Sequence, residues 1–354
     1  MIGGITGRRV AALATLATGI GPAAAAAQTG ATFEVPERIG AHWFKGNTHT
    51  HTTESDGDSP PEVVARWYRD HGYSFLVISD HNVWTDPAAL SHLVDSTFIL
   101  IPGEEVTSGW ERRPVHVNGL NVPHLIEPLR DSTLVGTIQK NVDAVRDVEG
   151  VPHINHPNFG WAIDAETLAR IQRDKLIEIH NGHPLVHNHG GGGTPGMEEV
   201  WDYLLSGGKR IYGIAVDDAH HFQGEFAADR ANPGRGWVSV NADRLEAREV
   251  LGAMEEGRFY ASTGVELEDV AIAADRITVR IRQERDFRYT TTFIADGGRE
   301  LAVVHGTDPS YVLTDRDGHG EVGAGLSYVR AKVVDSGGRV AWVQPVFVRR
   351  AGSR

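Results

Sequence analysis

Histidine and carboxylate residues recur together in short clusters along this sequence, whereas cysteine is absent. The 354 residues include 18 histidines and no cysteine. The clusters are, in chain order, His49-Thr50-His51, Ser55-Asp56-Gly57, Asp80-His81-Asn82, Gly103-Glu104-Glu105, His116, Asn155-His156-Pro157 and Asp217-Asp218-Ala219-His220. Imidazole and carboxylate donors without thiolates favour zinc, manganese or iron over ions that are selected by soft sulfur ligands. The sequence therefore predicts a site for divalent metal ions.

The spacing within two of these clusters suits ligands that share one ion. His49 and His51 are two residues apart, so on an extended segment their imidazoles point to the same side. Asp218 and His220 repeat this spacing. A carboxylate that bridges two ions about 3.5 to 4 Å apart helps to lower the pKa of a bound water from about 15.7 towards neutrality. Such a centre would provide a hydroxide nucleophile at physiological pH, which is the chemistry of a hydrolase.

The elements that carry these clusters alternate between strand and helix over residues 40–262. Apolar runs predict seven strands, at 43–48, 74–79, 98–101, 115–120, 151–154, 176–180 and 211–216. A first helix is predicted with Ser59 as its N-cap and Gly72 at its end, and further helices at 134–148, 165–173, 197–205 and 244–256. Each cluster falls at or just after the C-terminal end of a strand, where parallel β/α folds build their sites. This alternation of strands and helices predicts an α/β fold with a parallel sheet or barrel.

The first 27 residues have the pattern of a secretory signal peptide. Arg8 and Arg9 precede an apolar run over 10–20, and Ala25 and Ala27 form an A-x-A cleavage pattern. The adjacent arginines also fit twin-arginine export. We therefore expect residues 1–27 to be removed and residues 28–39 to form a linker. The protein is expected to be periplasmic or extracellular, without a membrane anchor.

The C-terminal part of the chain, residues 263–354, has a different pattern. Helical periodicity is weak there, whereas Ile277, Val279 and Ile281 alternate as in a strand with one buried face. Gly-Gly pairs at 297–298 and 337–338 are typical of hairpin turns. The pattern predicts a small antiparallel β-domain.

The charge of the protein limits its partners. With 34 Lys and Arg against 47 Asp and Glu, the formal net charge is −13. An acidic surface repels phosphate backbones and anionic lipid, and the sequence contains no basic patch that would offset this. We therefore expect a small-molecule ester as substrate and no binding to a nucleic-acid scaffold. The sequence leaves the oligomeric state open.

Several of these motifs resemble the PHP (polymerase and histidinol phosphatase) metallohydrolase superfamily. The segments that carry this resemblance are Gly46-Asn47-Thr48-His49-Thr50-His51-Thr52-Thr53-Glu54-Ser55-Asp56-Gly57, Ser79-Asp80-His81-Asn82 and Val216-Asp217-Asp218-Ala219-His220. Three more resemble its CehA/McbA branch, namely Pro102-Gly103-Glu104-Glu105-Val106-Thr107, His116-Val117-Asn118-Gly119-Leu120 and Gly257-Arg258-Phe259-Tyr260-Ala261-Ser262-Thr263-Gly264. The resemblance spans about residues 43–264. It implies a distorted seven-stranded (β/α)7 barrel with two or three metal ions, followed here by the small C-terminal β-domain.

The resemblance also implies nine metal ligands in three groups. These are His49, His51, Glu105 and Asp218 for one ion, Glu105, His116 and His156 for a second, and Asp56, His81 and His220 for a third. Glu105 is preferred to Glu104 because the family pattern is Gly-x-Glu and only one of two adjacent carboxylates on a strand faces inward. Asn47 stands where the family often has Asp, which affects a hydrogen bond behind the ligands rather than the ligand set.

Other polar residues near these ligands are candidates for supporting them. They are Asp80, Glu178, Asn181 and His183, with His153 as a further candidate for substrate contact. For Glu178 and Asn181, an ordinary strand-end turn is the alternative. His187 and His189 form another His-x-His pair, which we interpret as part of a surface loop.

Together these features predict a secreted metal-dependent hydrolase in which a metal-bound hydroxide attacks a phosphorus or carbonyl centre. A phosphoesterase comes first, because several ions suit a group with several anionic oxygens. A carbamate or carboxylic ester hydrolase of the CehA/McbA type is the alternative, and a non-catalytic metal- or ligand-binding protein is the alternative from another class. Converging basic side chains, with Arg230 and Arg235 as candidates, would favour phosphate. An apolar pocket around Trp84, Trp110 and Trp161 would favour an aryl ester.

Overall fold

The structure, a computed structural model, describes residues 31–313 and 325–350. The predicted signal peptide, residues 1–27, lies outside the described residues, so export stays a prediction. Within the described ranges, every helix is too short or too polar to span a membrane.

The described residues form a mixed α/β protein with the following elements. In chain order they are β1 (Ala31–Phe33), β2 (His42–Asn47), α1 (Pro61–Asp70), β3 (Phe75–Val77), β4 (Ile99–Ile101), β5 (Gly103–Trp110), β6 (Arg113–Leu120), α2 (Leu134–Asp147), β7 (Val151–Ile154), α3 (Ala165–Ala169), β8 (Leu176–Asn181), α4 (Met197–Ser206), β9 (Tyr212–Val216), β10 (Trp237–Ala242), α5 (Ala247–Glu255), β11 (Phe259–Ser262), β12 (Leu267–Ala273), β13 (Arg276–Ile281), β14 (Tyr289–Ala295), β15 (Arg299–His305), β16 (Ser310–Val312), β17 (Tyr328–Asp335) and β18 (Val340–Arg350). Short 3-10 helices occupy Pro87–Leu93, Phe159–Trp161 and Asp296–Gly298.

Three sheets organise these strands. The largest has ten strands in the order β15-β14-β17-β18-β11-β10-β2-β3-β4, with β1 added alongside β18. A five-stranded sheet has the order β5-β6-β7-β8-β9, and a three-stranded sheet has the order β12-β13-β16. The parallel pairs are β2 with β3, β3 with β4, β7 with β8 and β8 with β9. The parallel strands are thus shared between two sheets.

The α/β fold is confirmed, but the prediction of a distorted seven-stranded barrel is wrong in one respect, because the described sheets do not close into a barrel. Among the described residues, no strand ladder joins β9 to β10. On the other side, β4 pairs with β3 in the large sheet and β5 pairs with β6 in the five-stranded sheet, with only Pro102 between β4 and β5 along the chain. The two sheets also meet at single points, since Thr50 bridges to Ala219 and His81 bridges to Glu105. These contacts lie at the strand ends that carry the predicted ligands.

All seven predicted strands are present within a few residues of their expected positions, but the prediction missed β5, β10 and β11. Strand β5 forms an antiparallel hairpin with β6, and Glu111 at its turn has a φ of 54°. Strands β10 and β11 connect β2 to β18. The ten-stranded sheet therefore runs without a break across the expected boundary between residues 262 and 263.

Part of the expected linker is a strand. Ala31 and Phe33 are buried, and β1 pairs with the end of β18 through Phe33 and Val348. The alternation of apolar residues in this short segment lets one of its faces pack on the C-terminal β-rich part. The described part of residues 28–39 therefore begins as a strand that is attached to the far end of the chain.

The start of helix α1 also differs from expectation. Its N-cap is Pro60, while the Ser59 hydroxyl donates to Asp58 Oδ1 at 2.9 Å. The buried face consists of Val64, Ala65 and Tyr68. The predicted capping role of Ser59 is therefore wrong, because that hydroxyl is held by the preceding aspartate.

Candidate metal centre

The structure brings all nine predicted ligands together. Their nitrogen and oxygen atoms form four overlapping groups in which the candidate ligand atoms lie within 4.8 Å of one another. The groups are His51, Asp56, His81 and His220; His49, His51 and Glu105; His49, His156 and Asp218; and His81, Glu105 and His116. These differ in detail from the three predicted groups, since His156 lies with His49 and Asp218, and His81 lies with Glu105 and His116. Whether each residue binds an ion stays a prediction.

Two carboxylates and two histidines form the innermost part of this cluster. The Nε2 atoms of His49 and His51 lie 3.4 and 3.3 Å from Glu105 Oε2. The same nitrogens lie 3.3 and 3.2 Å from Asp218 Oδ1. All four side chains are buried. The lone-pair atoms of both histidines thus point at the same two oxygens.

The hydrogen bonding of these atoms tests whether a cation fits here. Among the described residues, His49 Nε2, His51 Nε2, Glu105 Oε2 and His116 Nδ1 are buried without a hydrogen-bond partner. Leaving a buried polar atom unpaired costs about 1–3 kcal/mol, and native proteins rarely concentrate such atoms without a reason. Histidine nitrogens and carboxylate oxygens that converge in this way are compatible with divalent metal ions.

Backbone contacts between strand ends position the innermost residues. Asp218 N donates to His49 O at 3.0 Å, and His51 N donates to Ala219 O at 2.9 Å. Asp218 has a φ of 49°, an unusual value for a residue other than glycine. This backbone turn directs Asp218 towards the two histidines after β9 ends.

Glu105 rather than Glu104 faces the histidines, as the Gly-x-Glu pattern of the resemblance and the strand alternation together predicted. Glu104 points away and accepts a hydrogen bond from Ile126 N. Burial raises the pKa of the Glu104 carboxyl to about 7. Gly103, at the start of β5, lets the strand approach its neighbour, because a Cβ there would lie 2.4 Å from Val77 Cγ1.

Asp56, His81 and His220 lie at the more exposed side of the cluster. Their side chains are 55%, 27% and 12% exposed. Burial alone would lower the pKa of His220, but its hydrogen bond to Asp56 and the charges of Asp218 and Asp56 raise it to about 9. The His51 and His220 rings stack with centroids 4.1 Å apart. The accessible face of the centre is therefore the one formed by these three residues.

Glu178 and Asn181 form hydrogen bonds to several of the predicted ligands. Glu178 Oε1 lies 2.6 Å from His49 Nδ1, while Oε2 accepts from His156 N at 2.7 Å and Asn181 Nδ2 at 2.9 Å. Asn181 also donates to Asp218 Oδ2 at 3.0 Å. Bonds of this kind orient ligands and fix the histidine tautomer.

Asp80 and His183 occupy different places around the centre. Asp80 accepts hydrogen bonds from Thr52 N and from the Thr52 and Ser55 hydroxyls at 2.6 to 2.7 Å. It therefore holds the loop between His51 and Asp56. His183 lies beside His220, with ring centroids 5.3 Å apart, and its Nδ1 accepts from Leu185 N at 3.2 Å.

Two supporting residues were missed by the sequence analysis. Asn155 Nδ2 donates to Glu105 Oε1 at 2.8 Å, and Thr107 Oγ1 lies 2.6 Å from His81 Nδ1. Thr107 is two residues from Glu105 on β5, so the period of a strand could have placed both side chains on one face. Asn155 adjoins His156 in the Asn155-His156-Pro157 cluster, so its position next to a predicted ligand was the available signal.

The other histidine candidates lie behind or beside the centre. His153 is fully buried, its Nδ1 lies 3.7 Å from Glu178 Oε1, and burial lowers its pKa to about 4. His187 stacks on the exposed Trp161 with ring centroids 4.3 Å apart. His187 and His189 are exposed, as expected for a surface loop.

This chain has distant relatives among known proteins. No family model matches this chain. It is 26% identical over 204 residues to the 5'-3' exoribonuclease Rnm of Salmonella typhimurium, and 29% identical over 199 residues to the enzyme of the same name from Escherichia coli. Each alignment covers 53% of this chain and 64% of the relative. The chain thus spans less than two thirds of the length of these distant relatives.

One solved structure resembles nearly the whole chain. It is a two-domain protein from Bacteroides vulgatus that contains a predicted PHP-like metal-dependent phosphoesterase, with a TM-score of 0.50 and 17% sequence identity. The similarity covers 89% of both chains. The fold is PHP-like. The predicted resemblance therefore holds at the level of the fold, and the similarity to this one structure also covers strands that follow the α/β part.

Proposed function

We propose that this protein is a metal-dependent phosphoesterase. The observation that carries the proposal is the convergence of His49, His51, Glu105 and Asp218 as buried donors, three of which have an unpaired atom among the described residues. The PHP-like fold and the distant relationship to two exoribonucleases support hydrolysis of a phosphoester rather than of another bond. When bound, divalent ions would supply an activated water and positive charge for the phosphoryl oxygens.

The residues of the chain have distinct parts in this proposal. The inner donors would hold the ions in a buried setting, where Glu178 and Asn181 keep His49 and Asp218 in position. Asp56, His81 and His220 form the accessible side, so a phosphoryl group would enter there. His183 lies beside His220 and is placed to contact the group that leaves. We propose two or three ions, with zinc, manganese and iron as the candidates.

The residues named above as candidate markers of substrate class, two arginines and three tryptophans, do not converge on the centre in the described part of the chain. Arg230 is held by Asp58 and Gln223 O, and Arg235 by Gly182 O and Ala227 O, so neither points into the centre. The tryptophans lie apart: Trp84 bonds Val122 O, Trp110 bonds Ser132 O, and Trp161 stacks on His187. The choice of a phosphoester therefore depends on the fold and the relatives.

The nature of the phosphoester is a finer proposal. The net charge of −13 disfavours an extended polyanion more than a single phosphate group, so a small phosphate ester is the first candidate. The relationship to two 5'-3' exoribonucleases favours a second candidate, the 5' end of an RNA. Binding such an end needs only local contacts with a few nucleotides. The carbamate or carboxylic ester alternative rests on the resemblance to the CehA/McbA branch alone. We also propose, from the sequence, that the protein acts after export.

Parallel assays distinguish these possibilities. Metal content is measured on the purified protein, which is then offered bis-p-nitrophenyl phosphate, p-nitrophenyl phosphate, a 5'-phosphorylated RNA oligonucleotide and 1-naphthyl methylcarbamate. We expect turnover of a phosphoester that is lost in His156→Ala and Asp218→Ala. The matched control is His92→Ala, which alters a histidine whose side chain is 54% exposed near Glu62.

The outcomes separate the candidate functions. Hydrolysis of the carbamate without any phosphoester would overturn the proposal in favour of the ester hydrolase. Bound metal without turnover of any of the four compounds would instead support the non-catalytic alternative. Hydrolysis that persists in both Asp218→Ala and His156→Ala would place the activity elsewhere.

A further inference from the structure

A cavity of about 620 Å³ lies beside the accessible side of the candidate metal centre, between the turn that follows β8 and the segment that follows His220. Its lining includes His183, Pro184, Leu185, His221, Ala228 and Asp229. The centroid of the His183 ring is also 5.3 Å from that of His220. A molecule whose phosphoryl group is at the centre can therefore extend past His183 into this cavity.

Hydrogen bonds fix which nitrogen of His183 carries the proton. Leu185 N donates to Nδ1 at 3.2 Å, so Nδ1 is an acceptor and the neutral ring has its proton on Nε2. His183 N donates to Asn181 Oδ1 at 2.8 Å, which holds the residue at the end of β8. Nε2 has no hydrogen-bond partner among residues 31–313 and 325–350, and it is accessible in a half-buried side chain. His183 therefore presents one free N–H donor beside the centre.

The group that such a donor can stabilise is the leaving oxygen of a phosphoester. During hydrolysis the bond between phosphorus and the ester oxygen breaks and a water oxygen bonds to phosphorus. The two hydrogens of the water end on the phosphate and on the released alcohol. Negative charge builds up on the leaving oxygen before it is protonated, and a fixed N–H group next to it stabilises that charge. A neutral imidazole keeps its remaining proton near neutral pH, so His183 would donate a hydrogen bond and not the proton itself.

The lining of the cavity carries little charge. Within the described part of the chain, Asp229 is its only carboxylate, and no lysine or arginine contributes to it. Asp229 is exposed, and its charge interacts with that of Arg235, which is outside the lining. Arg230 and Arg235 are themselves bonded to Asp58 and to backbone carbonyls. A second phosphate would therefore find no cation in the cavity, and a cationic group would find only a carboxylate whose charge is already partly offset.

The rest of the lining suits an uncharged group with an apolar body. Leu185 is 61% exposed, and Pro184 and Ala228 are exposed as well. Small-molecule sites combine such apolar surface with a few polar groups that fix orientation, and their volumes run from about 300 to 1,000 Å³. The N–H group of His183 provides the polar contact at the end nearest the centre.

We propose that this cavity holds the uncharged, largely apolar leaving group of the phosphoester and that His183 donates through Nε2 to its ester oxygen. The inference rests on the proposed phosphoesterase function and makes its substrate more specific. The substrate class is the phosphate ester of an uncharged alcohol or phenol. An RNA chain fits less well, because the part that leaves carries further phosphates.

Substitution of His183 by phenylalanine tests the hydrogen bond to the leaving oxygen. His183→Phe keeps a flat ring and removes the N–H donor. We expect kcat for phenyl phosphate to fall about 100-fold, as for the loss of one donor to a developing oxyanion. For p-nitrophenyl phosphate the loss should stay below about tenfold, because the nitro group delocalises the charge of the leaving phenolate. Equal losses for both substrates would indicate a purely structural role for His183 and would overturn the assignment.

Leu185→Asn tests the apolar part of the cavity independently of the His183 side chain. Leu185 is exposed, so the melting temperature should not change, and its backbone N–H still reaches His183 Nδ1. We expect KM for phenyl phosphate to rise about three- to tenfold because an apolar contact is lost. Competitive inhibition by inorganic phosphate, which does not extend into the cavity, should be unchanged. The matched control is Val303→Thr, at an apolar side chain 51% exposed on β15, which should alter neither constant.

Saturation-transfer NMR with phenol separates this inference from the proposed function. Phenol should bind the wild type, and its signal should weaken in Leu185→Asn. Phenol binding without hydrolysis of any phosphoester would refute the proposed function but not the cavity, whereas hydrolysis without phenol binding would refute the cavity alone. A kcat/KM that is higher for phosphocholine or for the 5'-phosphorylated RNA oligonucleotide than for phenyl phosphate would also overturn the inference.

Discussion

Glu178 Oε1 lies 2.6 Å from Nδ1 of His49, and both side chains are fully buried. The second oxygen of Glu178 accepts from His156 N and from Asn181 Nδ2. One carboxylate therefore links two predicted ligands, His49 and His156, to the amide that holds Asp218. Both oxygens of Glu178 are therefore engaged in hydrogen bonds that position these residues.

Glu178→Gln should weaken metal binding about 10- to 100-fold while the protein stays folded. Glutamine has one carbonyl oxygen, so its NH2 group would face either the His49 ring or the two N–H donors that now meet Oε2. Metal titration followed by a competing chelator measures the effect, and a thermal melt checks the fold. Glu149→Gln, at a side chain 84% exposed, is the control. Unchanged metal affinity in Glu178→Gln would show that Glu178 does not position His49.

The adjacent residues Glu105 and Glu104 should respond differently to the same substitution by glutamine. Glu105→Gln should reduce activity by about a hundredfold or more, above the effect typical of residues behind the ligands. Glu104→Gln should keep metal and activity, because Glu104 faces Ile126 N instead of the histidines. Steady-state rates and metal content of the two variants decide between them. A larger loss in Glu104→Gln than in Glu105→Gln would reverse the assignment.

The buried Arg330–Asp202 pair should contribute to the attachment of β17 to α4. Asp202 accepts from two nitrogens of Arg330 and from the Tyr328 hydroxyl at 2.8 Å. Asp202→Ala leaves a guanidinium that is 2% exposed without its counter-ion, and should lower the free energy of unfolding by about 3–5 kcal/mol. Urea denaturation measures this loss.

The exposed pair between Glu149 and Arg248 provides a matched control for this measurement. Both side chains are 84% exposed, so Glu149→Ala should change the free energy of unfolding by less than about 1 kcal/mol. Comparable losses in Asp202→Ala and Glu149→Ala would contradict the prediction that burial makes the Arg330–Asp202 pair important.

His180 should make stability depend on pH. Burial lowers its pKa from 6.5 to about 4, and the charge of His189 adds to this. The folded state then binds fewer protons than the unfolded state between these values, so the contribution of neutral His180 is complete above about pH 6.5 and is lost as pH falls towards 4. A shift of this size corresponds to up to about 3 kcal/mol.

Thermal melts of wild type and His180→Phe at pH 7 and pH 4.5 test this dependence. Phenylalanine keeps the stacking on Trp342 and cannot be protonated. The variant should lose less stability on acidification than wild type. Parallel loss in both proteins would indicate that other groups account for the acid sensitivity.

The local sequence was sufficient to predict the main strands and helices and the clusters of histidine and carboxylate residues, and the resemblance to the PHP superfamily selected the nine predicted ligands among them. The 176–180 run became β8, and helix α2 ended within one residue of its predicted bound. These features depend on the spacing of apolar and ligand-type residues along a few turns or a short strand. The choice of Glu105 over Glu104 needed the Gly-x-Glu pattern of the resemblance as well, because the local period shows only that one of two adjacent side chains faces inward.

Contacts between distant segments of the chain decided how the strands pair and how the sheets meet. Strand β10 pairs with β2, and β11 pairs with β18, so the large sheet extends into the C-terminal part instead of closing as a barrel. Strand alternation shows which face is apolar but not which edge will be its neighbour. The free N–H donor of His183 could not be foreseen either, because the number of partners within reach of a ring nitrogen is set by tertiary packing. The residue types and their local period thus determined what the centre is made of, and long-range packing determined how the sheets meet around it.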